Sequence, residues 1–190
     1  APRLILFAGH AGTGKTTLAK KALPLIIEKT GEDFFFLDKD TVYGAYSAHV
    51  MELTTNNPND RDSPFYLQNL RDWEYAGLIA IAKENLQLGV NLILVGPFST
   101  EIQSGRIFNP EELGVPGVSS IKIAWIDLDE SEAKSRMEKR ADPRDEYKLK
   151  HWNQYTQRRV EPPKHTTIQR FDNLHFDEAK FEKLIDHLIR

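Results

Sequence analysis

The fold of this chain is decided by the stretch Leu4-Ile5-Leu6-Phe7-Ala8-Gly9-His10-Ala11-Gly12-Thr13-Gly14-Lys15-Thr16. Its first five residues are all apolar, which is typical of a strand covered on both faces of a sheet. Glycines interrupt the run, and apolar residues then recur at helical spacing over residues 15–29. A strand, a glycine-rich turn and a helix in this order predict the first unit of a parallel α/β sheet.

Residues 9–16 match the pattern G-x-x-x-x-G-K-[ST] in every fixed position. Glycines let the backbone wrap around oxygen atoms, and the N–H groups at the start of a helix form an anion-binding nest. We therefore predict a site for ATP with Mg²⁺, in which Lys15 bridges the β- and γ-phosphates and Thr16 ligates the metal. The alternative is a plain strand-to-helix turn that matches by chance. The predicted nucleotide-binding residues are Gly9, His10, Ala11, Gly12, Thr13, Gly14, Lys15, Thr16 and Thr17.

Strand and helix patterns alternate along the rest of the chain, without an internal repeat or a linker. We predict further strands at 34–37, 91–95, 121–128 and 166–171, and helices at 41–53, 65–88, 131–141, 145–160 and 177–189. Pro24 should kink or break the first helix. The pattern predicts one domain over residues 1–190, with a three-layer α/β P-loop NTPase fold and a parallel five-stranded sheet, in which the second strand is buried like the first.

Two carboxylates follow the second predicted strand directly, in Leu37-Asp38-Lys39-Asp40. Ligands of such sheets lie beyond the carboxyl ends of the strands, so both aspartates should face the phosphate loop. Together with that loop, the pair resembles P-loop small-molecule kinases such as the gluconate, shikimate and adenylylsulfate kinases. Chloramphenicol phosphotransferase, polynucleotide kinase and the zeta-toxin kinases carry a related aspartate.

The resemblance implies a nucleoside-monophosphate-kinase-like architecture with a helical lid. It also implies that Asp38 belongs to the metal shell and that Asp40 orients and deprotonates an acceptor hydroxyl. The alternative for Asp40 is that it only caps the next helix together with Thr41.

Motifs of other nucleotide-binding proteins are missing from the sequence. The third predicted strand runs into Gly96-Pro97-Phe98 without the terminal aspartate of a Walker B motif, and the guanine motif N-K-x-D does not occur. Motor ATPases are also normally larger. These absences favour a small kinase, in which Gly96 allows close approach of a substrate and Phe98 either lines the pocket or packs in the core.

An arginine-rich segment follows the fourth predicted strand and resembles the lid of the same kinases, at about residues 136–160. Arg136 and Arg140 are four residues apart and therefore share a helix face, and Arg144 follows in a turn. The resemblance implies that Arg140 and Arg144 are catalytic, stabilising the transferred phosphoryl group, and that Arg136 lies beside the adenine. The alternative is a solvated helix on which these cations alternate with acids.

Residues 41–90 occupy the position where these kinases bind their acceptor. The leading hypothesis is phosphoryl transfer from ATP to a hydroxyl of a small molecule, either a metabolite or an antibiotic. A kinase of nucleotides or of polynucleotide 5′ ends is the nearest alternative, and a regulatory nucleotide-binding switch is an alternative of another class. The side chains that could line the acceptor pocket are Tyr43, Tyr46, His49, Arg61, Tyr66, Arg71, Trp73 and Tyr75.

Composition limits the partners and the location of the protein. The net charge of −3 gives no basic footprint for duplex nucleic acid, and the histidines lack the spacing of a zinc site. The apolar runs are the length of strands, so we expect no membrane span. With no cysteine in the chain, we expect a cytoplasmic protein. The oligomeric state and the acceptor do not follow from the sequence.

Overall fold

A computed structural model describes residues 1–118 and 120–190 of the chain. In this part, five strands form one parallel sheet in the order β2-β3-β1-β4-β5. The predicted number of strands and their parallel direction are therefore confirmed. The strands are β1 (Arg3–Ala8), β2 (Phe34–Asp38), β3 (Asn91–Val95), β4 (Ser120–Asp127) and β5 (Ile168–Asp172).

Helices cover both faces of the sheet, which confirms the three-layer α/β P-loop fold. None of the helices in the described ranges is both long and apolar enough to cross a membrane. The helices are α1 (Lys15–Thr30), α2 (Lys39–Thr55), α3 (Pro64–Tyr66), α4 (Asp72–Gln87), α5 (Ser99–Ser104), α6 (Pro110–Leu113), α7 (Glu130–Arg140), α8 (Glu146–Lys150), α9 (Trp152–Gln157) and α10 (Glu178–Ile189).

The core has two halves because successive side chains of a strand point to opposite faces of the sheet. Ile5 and Phe7 of β1 pack on one face with α1 and α10. Leu4 and Leu6 pack on the other face with α4, α5 and α6. All four side chains are fully buried, so the central strand is covered on both sides, as its unbroken apolar run predicts.

The second strand is an edge strand, and the prediction that it is buried is wrong. It pairs only with β3 among the described strands, and Phe35 is 44% exposed. Three consecutive phenylalanines suggest burial on both faces, but the topology leaves one side of this strand without a neighbour. The expected break at Pro24 is wrong as well, because α1 continues through it as one helix.

One of the predicted long helices is broken and another is irregular. The region 65–88 stays helical from α3 to α4 through a π-helical turn at Leu67–Arg71. The region 145–160 is divided at His151, whose φ of −118° and ψ of 41° are not helical. The rings of Tyr147 and His151 stack with centroids 4.0 Å apart, which stabilises the corner between α8 and α9. The segment predicted to be a lid, called the lid below, is therefore built from α7 and two short helices.

The sheet is held together partly by α10, whose Phe181 is fully buried against it. We expect Phe181→Ala to lower the free energy of unfolding by about 3–5 kcal/mol, because it removes a large side chain from a packed core. Phe35→Ala is the matched control, since Phe35 is partly exposed on the edge strand. It should cost much less in urea denaturation. Equal losses for the two variants would contradict this view of the core.

Candidate active site

The phosphate loop connects β1 to α1. Glycine is required at the positions where this loop comes close to other parts of the chain. A Cβ atom on Gly9 would lie 2.6 Å from the carbonyl oxygen of Ile126. Gly14 is the N-cap of α1 in a left-handed conformation with φ of 86°. A Cβ there would lie 2.6 Å from Nδ2 of Asn173, which donates a hydrogen bond to the Thr13 carbonyl. The loop is thus held from outside by the segment after β5.

Bonds within the loop fix its polar side chains. Both the Thr13 hydroxyl (2.9 Å) and the Lys15 ammonium (3.3 Å) donate to the carbonyl of His10. The His10 ring itself points away, with Nε2 lying 3.1 Å from the carbonyl oxygen of Val160 and the ring edge-on to Trp125. Burial lowers the pKa of His10, so the ring is neutral at pH 7. His10 thus contributes to the loop with its backbone, while its ring ties the loop to the end of the lid.

The Lys15 ammonium lies in a partly buried position. Withdrawal from water lowers the pKa of Lys15 to about 8, although the carboxylates of Asp40 and Asp38 favour the charged form. Burial removes the water that would stabilise the charged ammonium. A phosphate group beside the ammonium would stabilise its charge instead. The loop lysine is therefore poised to gain from binding an anion.

Thr16 and Asp38 meet at the centre of the site. The Thr16 hydroxyl donates a 2.8 Å hydrogen bond to Oδ2 of Asp38, and Oδ1 of Asp38 accepts from the N–H of Asp40. Asp38 is therefore the N-cap of α2, and the alternative that Asp40 and Thr41 provide the cap is wrong. A hydroxyl and a carboxylate oxygen so close together fit Mg²⁺, which takes a few protein oxygens plus water and phosphate.

Asp40 extends into the cleft from the first turn of α2, with its side chain 60% exposed. Partial burial favours the neutral acid, but the ammonium groups of Lys39 and Lys15 outweigh it and lower the pKa of Asp40. One oxygen lies 3.2 Å from Lys39 Nζ and the other 4.0 Å from an Arg144 nitrogen. The carboxylate is ionised at pH 7 and accessible to a bound molecule.

Two of the three predicted lid arginines line the cleft. Arg140 forms a two-pronged ion pair with Asp145 at 2.7 and 2.9 Å, and Arg144 forms another with Asp142. Arg136 does not line the cleft, and it donates to the carbonyls of Asn173 and Leu174. It therefore flanks the loop that supports Gly14, and its place beside adenine stays a prediction.

The cleft between the phosphate loop, α2 and the lid has a volume of about 440 Å³. Of the predicted acceptor-side residues, Arg61, Tyr66, Arg71 and Tyr75 line it. Three others, Tyr43, Tyr46 and Trp73, line a separate apolar groove between α2 and α4, and His49 lines neither. The region 41–90 therefore contributes to the cleft, but with half of the side chains that sequence suggested.

Phe98 packs in the core and does not line the cleft. It is fully buried and edge-on to Tyr75, whose hydroxyl accepts a 3.0 Å hydrogen bond from the Phe98 N–H. A Cβ atom on Gly96 would lie 3.3 Å from the Tyr75 hydroxyl and 3.6 Å from Cβ of Lys39, so glycine leaves room here for the protein's own side chains. The close approach of a substrate to Gly96 stays a prediction.

Several lining residues were not singled out from the sequence. Lys39 lies between the two aspartates and is buried against Glu74, with Nζ 3.0 Å from a carboxylate oxygen. Its position between Asp38 and Asp40 in the sequence could have indicated that it lines the cleft. Others come from the loop between α2 and α3, from the start of α5 and from the lid, where no motif singled out these side chains. They are Asp62, Ser99, Asp145, Lys148, Tyr155 and Arg158.

Comparison with protein families supports the same fold. The profile of a family described as an AAA domain matches residues 4–163, which include the phosphate loop, both aspartates and the lid. The comparison with curated proteins gave no significant match.

Solved structures with a similar fold include kinases. The gluconokinase of Sinorhizobium meliloti 1021 is 17% identical with a TM-score of 0.61, over 98% of this chain and 91% of its own. The APS kinase of Mycobacterium tuberculosis, in complex with AMPPNP and APS, is 18% identical with a TM-score of 0.62, over 100% and 98%. Kti12 of Chaetomium thermophilum, in complex with ADP-AlF3, is 18% identical with a TM-score of 0.65, over 96% and 95%. At these identities the likeness shows a P-loop kinase-like fold.

The lowered pKa of Lys15 predicts a pH dependence of nucleotide binding. Phosphates raise this pKa in the complex, so below pH 8 the free lysine is already protonated and affinity is at its maximum. As the pH rises above about 8, binding requires proton uptake, and ADP affinity should fall by up to tenfold per pH unit. Calorimetric titration between pH 7 and 9.5 measures this.

Lys15→Arg is the control for this pH effect, because arginine stays protonated throughout the range. Its affinity for ADP should therefore vary little with pH. A wild-type affinity that is constant up to pH 9.5 would contradict the assignment of Lys15.

Proposed function

The chain belongs to the AAA domain family of P-loop proteins, and from this premise we propose that it transfers the γ-phosphoryl group of ATP to a hydroxyl of a small molecule. The observation that carries the proposal is the position of Asp40. Its carboxylate is ionised, open to the cleft and electrostatically coupled to Lys15 of the phosphate loop. A carboxylate in this position can accept the proton of an acceptor hydroxyl.

In the proposed reaction, the hydroxyl oxygen of the acceptor forms a bond to the γ-phosphorus while Asp40 accepts the proton of that hydroxyl. The bond from that phosphorus to the β–γ bridging oxygen breaks, and ADP leaves with the electron pair. Lys15 neutralises the charge that develops between the β- and γ-phosphates. Thr16 and Asp38 would hold Mg²⁺, which supplies further neutralisation of the phosphates when bound.

The lid arginines fit the charge of the transferred group. Arg140 and Arg144 line the cleft, and their donors can stabilise the equatorial oxygens of the phosphoryl group. Arg144 and its partner Asp142 are both partly exposed, so a modest movement frees Arg144. Arg140 is half exposed, but its partner Asp145 is buried, so this pair should stay in place. Closure of the lid over ATP would also exclude water as a competing acceptor.

The acceptor side favours a compact polar molecule. Arg61, Tyr66, Arg71 and Tyr75 offer guanidinium and hydroxyl groups within a cleft of about 440 Å³, which must also hold part of the ATP. A small metabolite or antibiotic therefore fits better than a polynucleotide end. In this proposal the whole chain works as one kinase domain, with residues 41–90 on the acceptor side and 136–160 as the lid.

The second candidate is a nucleotide-driven switch. The AAA description of the family and the likeness to Kti12, which was solved with ADP-AlF3, favour it. Against it, β3 ends at Val95 and runs into Gly96 and Pro97, without the carboxylate that usually completes a hydrolytic site. A switch would hydrolyse ATP without dependence on any small acceptor.

The kinase proposal predicts that Asp40→Asn separates binding from transfer. The side chain is exposed and makes no cap, so the fold should remain intact. We expect ADP affinity to change less than about threefold, while transfer falls at least about 100-fold because the base is lost. Equal losses in ADP affinity and in rate would assign Asp40 to the metal or to structure.

The acceptor is found by incubating the protein with γ-labelled ATP and separate panels of sugars, nucleosides and antibiotics. Lys15→Ala is the control, and it should lose transfer to any acceptor found because the bridge between the β- and γ-phosphates is removed. Turnover near the wild-type rate in Lys15→Ala would overturn the assignment of the loop. ATP hydrolysis that no panel stimulates would favour the switch.

A further inference from the structure

Lys148 lies in the lid and lines the cleft, but it has no part in the reaction described so far. It belongs to the short helix α8, and its side chain is partly buried. It forms no hydrogen bond and no ion pair within 4.0 Å with any residue in 1–118 or 120–190. Its Nζ lies 5.8 Å from the ring centroid of Tyr155.

The other lining cations of the lid and acceptor side have partners. Lys39 is bonded to Glu74, Arg71 to Glu101, Arg140 to Asp145, Arg144 to Asp142 and Arg158 to Asp62. Arg61 donates to three backbone carbonyls. A desolvated ammonium without such a partner costs free energy in the empty protein, and an anionic ligand would recover it.

The neighbours of Lys148 indicate where that anion would lie. Its ammonium is close enough to Lys15 to lower the pKa of that lysine, and it interacts with the carboxylates of Asp62, Asp145 and Asp40. In the proposed reaction, the group between the loop lysine and the Asp40 carboxylate is the phosphoryl group in transit. Lys148 lines the same cleft as Lys15 and Asp40, and therefore shares it with the point of transfer.

We propose that Lys148 is a catalytic residue that contacts the oxygens of the transferred phosphoryl group. The inference rests on the proposed kinase function and adds a third cation to those that the lid offers. As the acceptor oxygen bonds to phosphorus and ADP departs, the three equatorial oxygens keep their negative charge throughout. Lys148 stabilises that charge while the proton of the hydroxyl passes to Asp40.

The electrostatics of the empty site agree with this role. Burial lowers the pKa of Lys148, with the surrounding carboxylates opposing the shift. A phosphoryl group would add two or more negative charges beside this ammonium and favour its protonated form. The protein thus holds a poorly solvated cation ready for an anion, and needs little reorganisation when the reaction occurs.

The test compares Lys148→Met, Lys148→Arg and Lys150→Met with the wild-type protein. Lys150 lies in the same helix but is exposed and paired with Glu146, so it is the matched control. Single-turnover cleavage of γ-labelled ATP with Mg²⁺ is measured with water as the acceptor and with any acceptor from the panels. Calorimetric ADP affinity reports the fold and the donor site for each variant.

We expect Lys148→Met to slow phosphoryl transfer about 100-fold, with ADP affinity within threefold of wild type. Lys148→Arg should keep more activity than the methionine variant because it retains a positive charge, and Lys150→Met should match wild type.

Three results would overturn the assignment. They are a Lys148→Met rate within threefold of wild type, a loss of ADP affinity as large as the loss of rate, and a raised acceptor KM at unchanged kcat. The last result would mean that Lys148 binds the acceptor. A wild-type protein that hydrolyses ATP but transfers its phosphoryl group to no acceptor of the panels would instead contradict the kinase proposal itself.

Discussion

The concentration of positive charge in one cleft is the constraint around which the site is built. Among the residues that the structure describes, eight cationic and four acidic side chains line this cleft, in a chain whose net charge is −3. Unbalanced cations at this density would repel each other and destabilise the fold. Buried carboxylates that pair with the lining cations offset this repulsion, as Glu74 does for Lys39 and Glu101 for Arg71. The cleft is attractive to polyphosphate because this compensation is incomplete near the phosphate loop.

The topology of the sheet brings the phosphate loop and the carboxylates together. β1 and β2 are separated by β3, so their ends lie roughly 10 Å apart at the usual strand spacing. The gap is closed by the first turn of α1, from which the Thr16 hydroxyl reaches Asp38 at 2.8 Å. Because the same Asp38 caps α2, the position of Asp40 depends on that contact. A single carboxylate therefore couples the donor side of the site to its acceptor side.

Sequence predicts the parts of this site that depend on local rules. Residues 9–16 fix a strand-to-helix turn, and the pair Asp38 and Asp40 follows a strand whose end must face it. The edge position of β2 could not be predicted from the sequence. Three consecutive phenylalanines, Phe34 to Phe36, are typical of a buried strand, and only the strand order shows that this one lies at the edge. Likewise, the ion pair of Arg140 with Asp145 and the bare ammonium of Lys148 depend on how α7 and α8 fold back, which no short motif encodes.

The ion pairs that line the cleft differ in how easily they can be exchanged. Glu74 and Glu101 are almost fully buried, so separating them from Lys39 and Arg71 would leave isolated charges at high cost. The same holds for Arg140, which is half exposed but paired with the buried Asp145. Arg144 and Asp142 are both partly exposed, so water can replace either partner at a cost of about 1 kcal/mol or less. In the proposed kinase, Arg144 is therefore the lid arginine that can exchange a carboxylate for a phosphate at low cost, whereas the other three pairs keep their positions as the site fills.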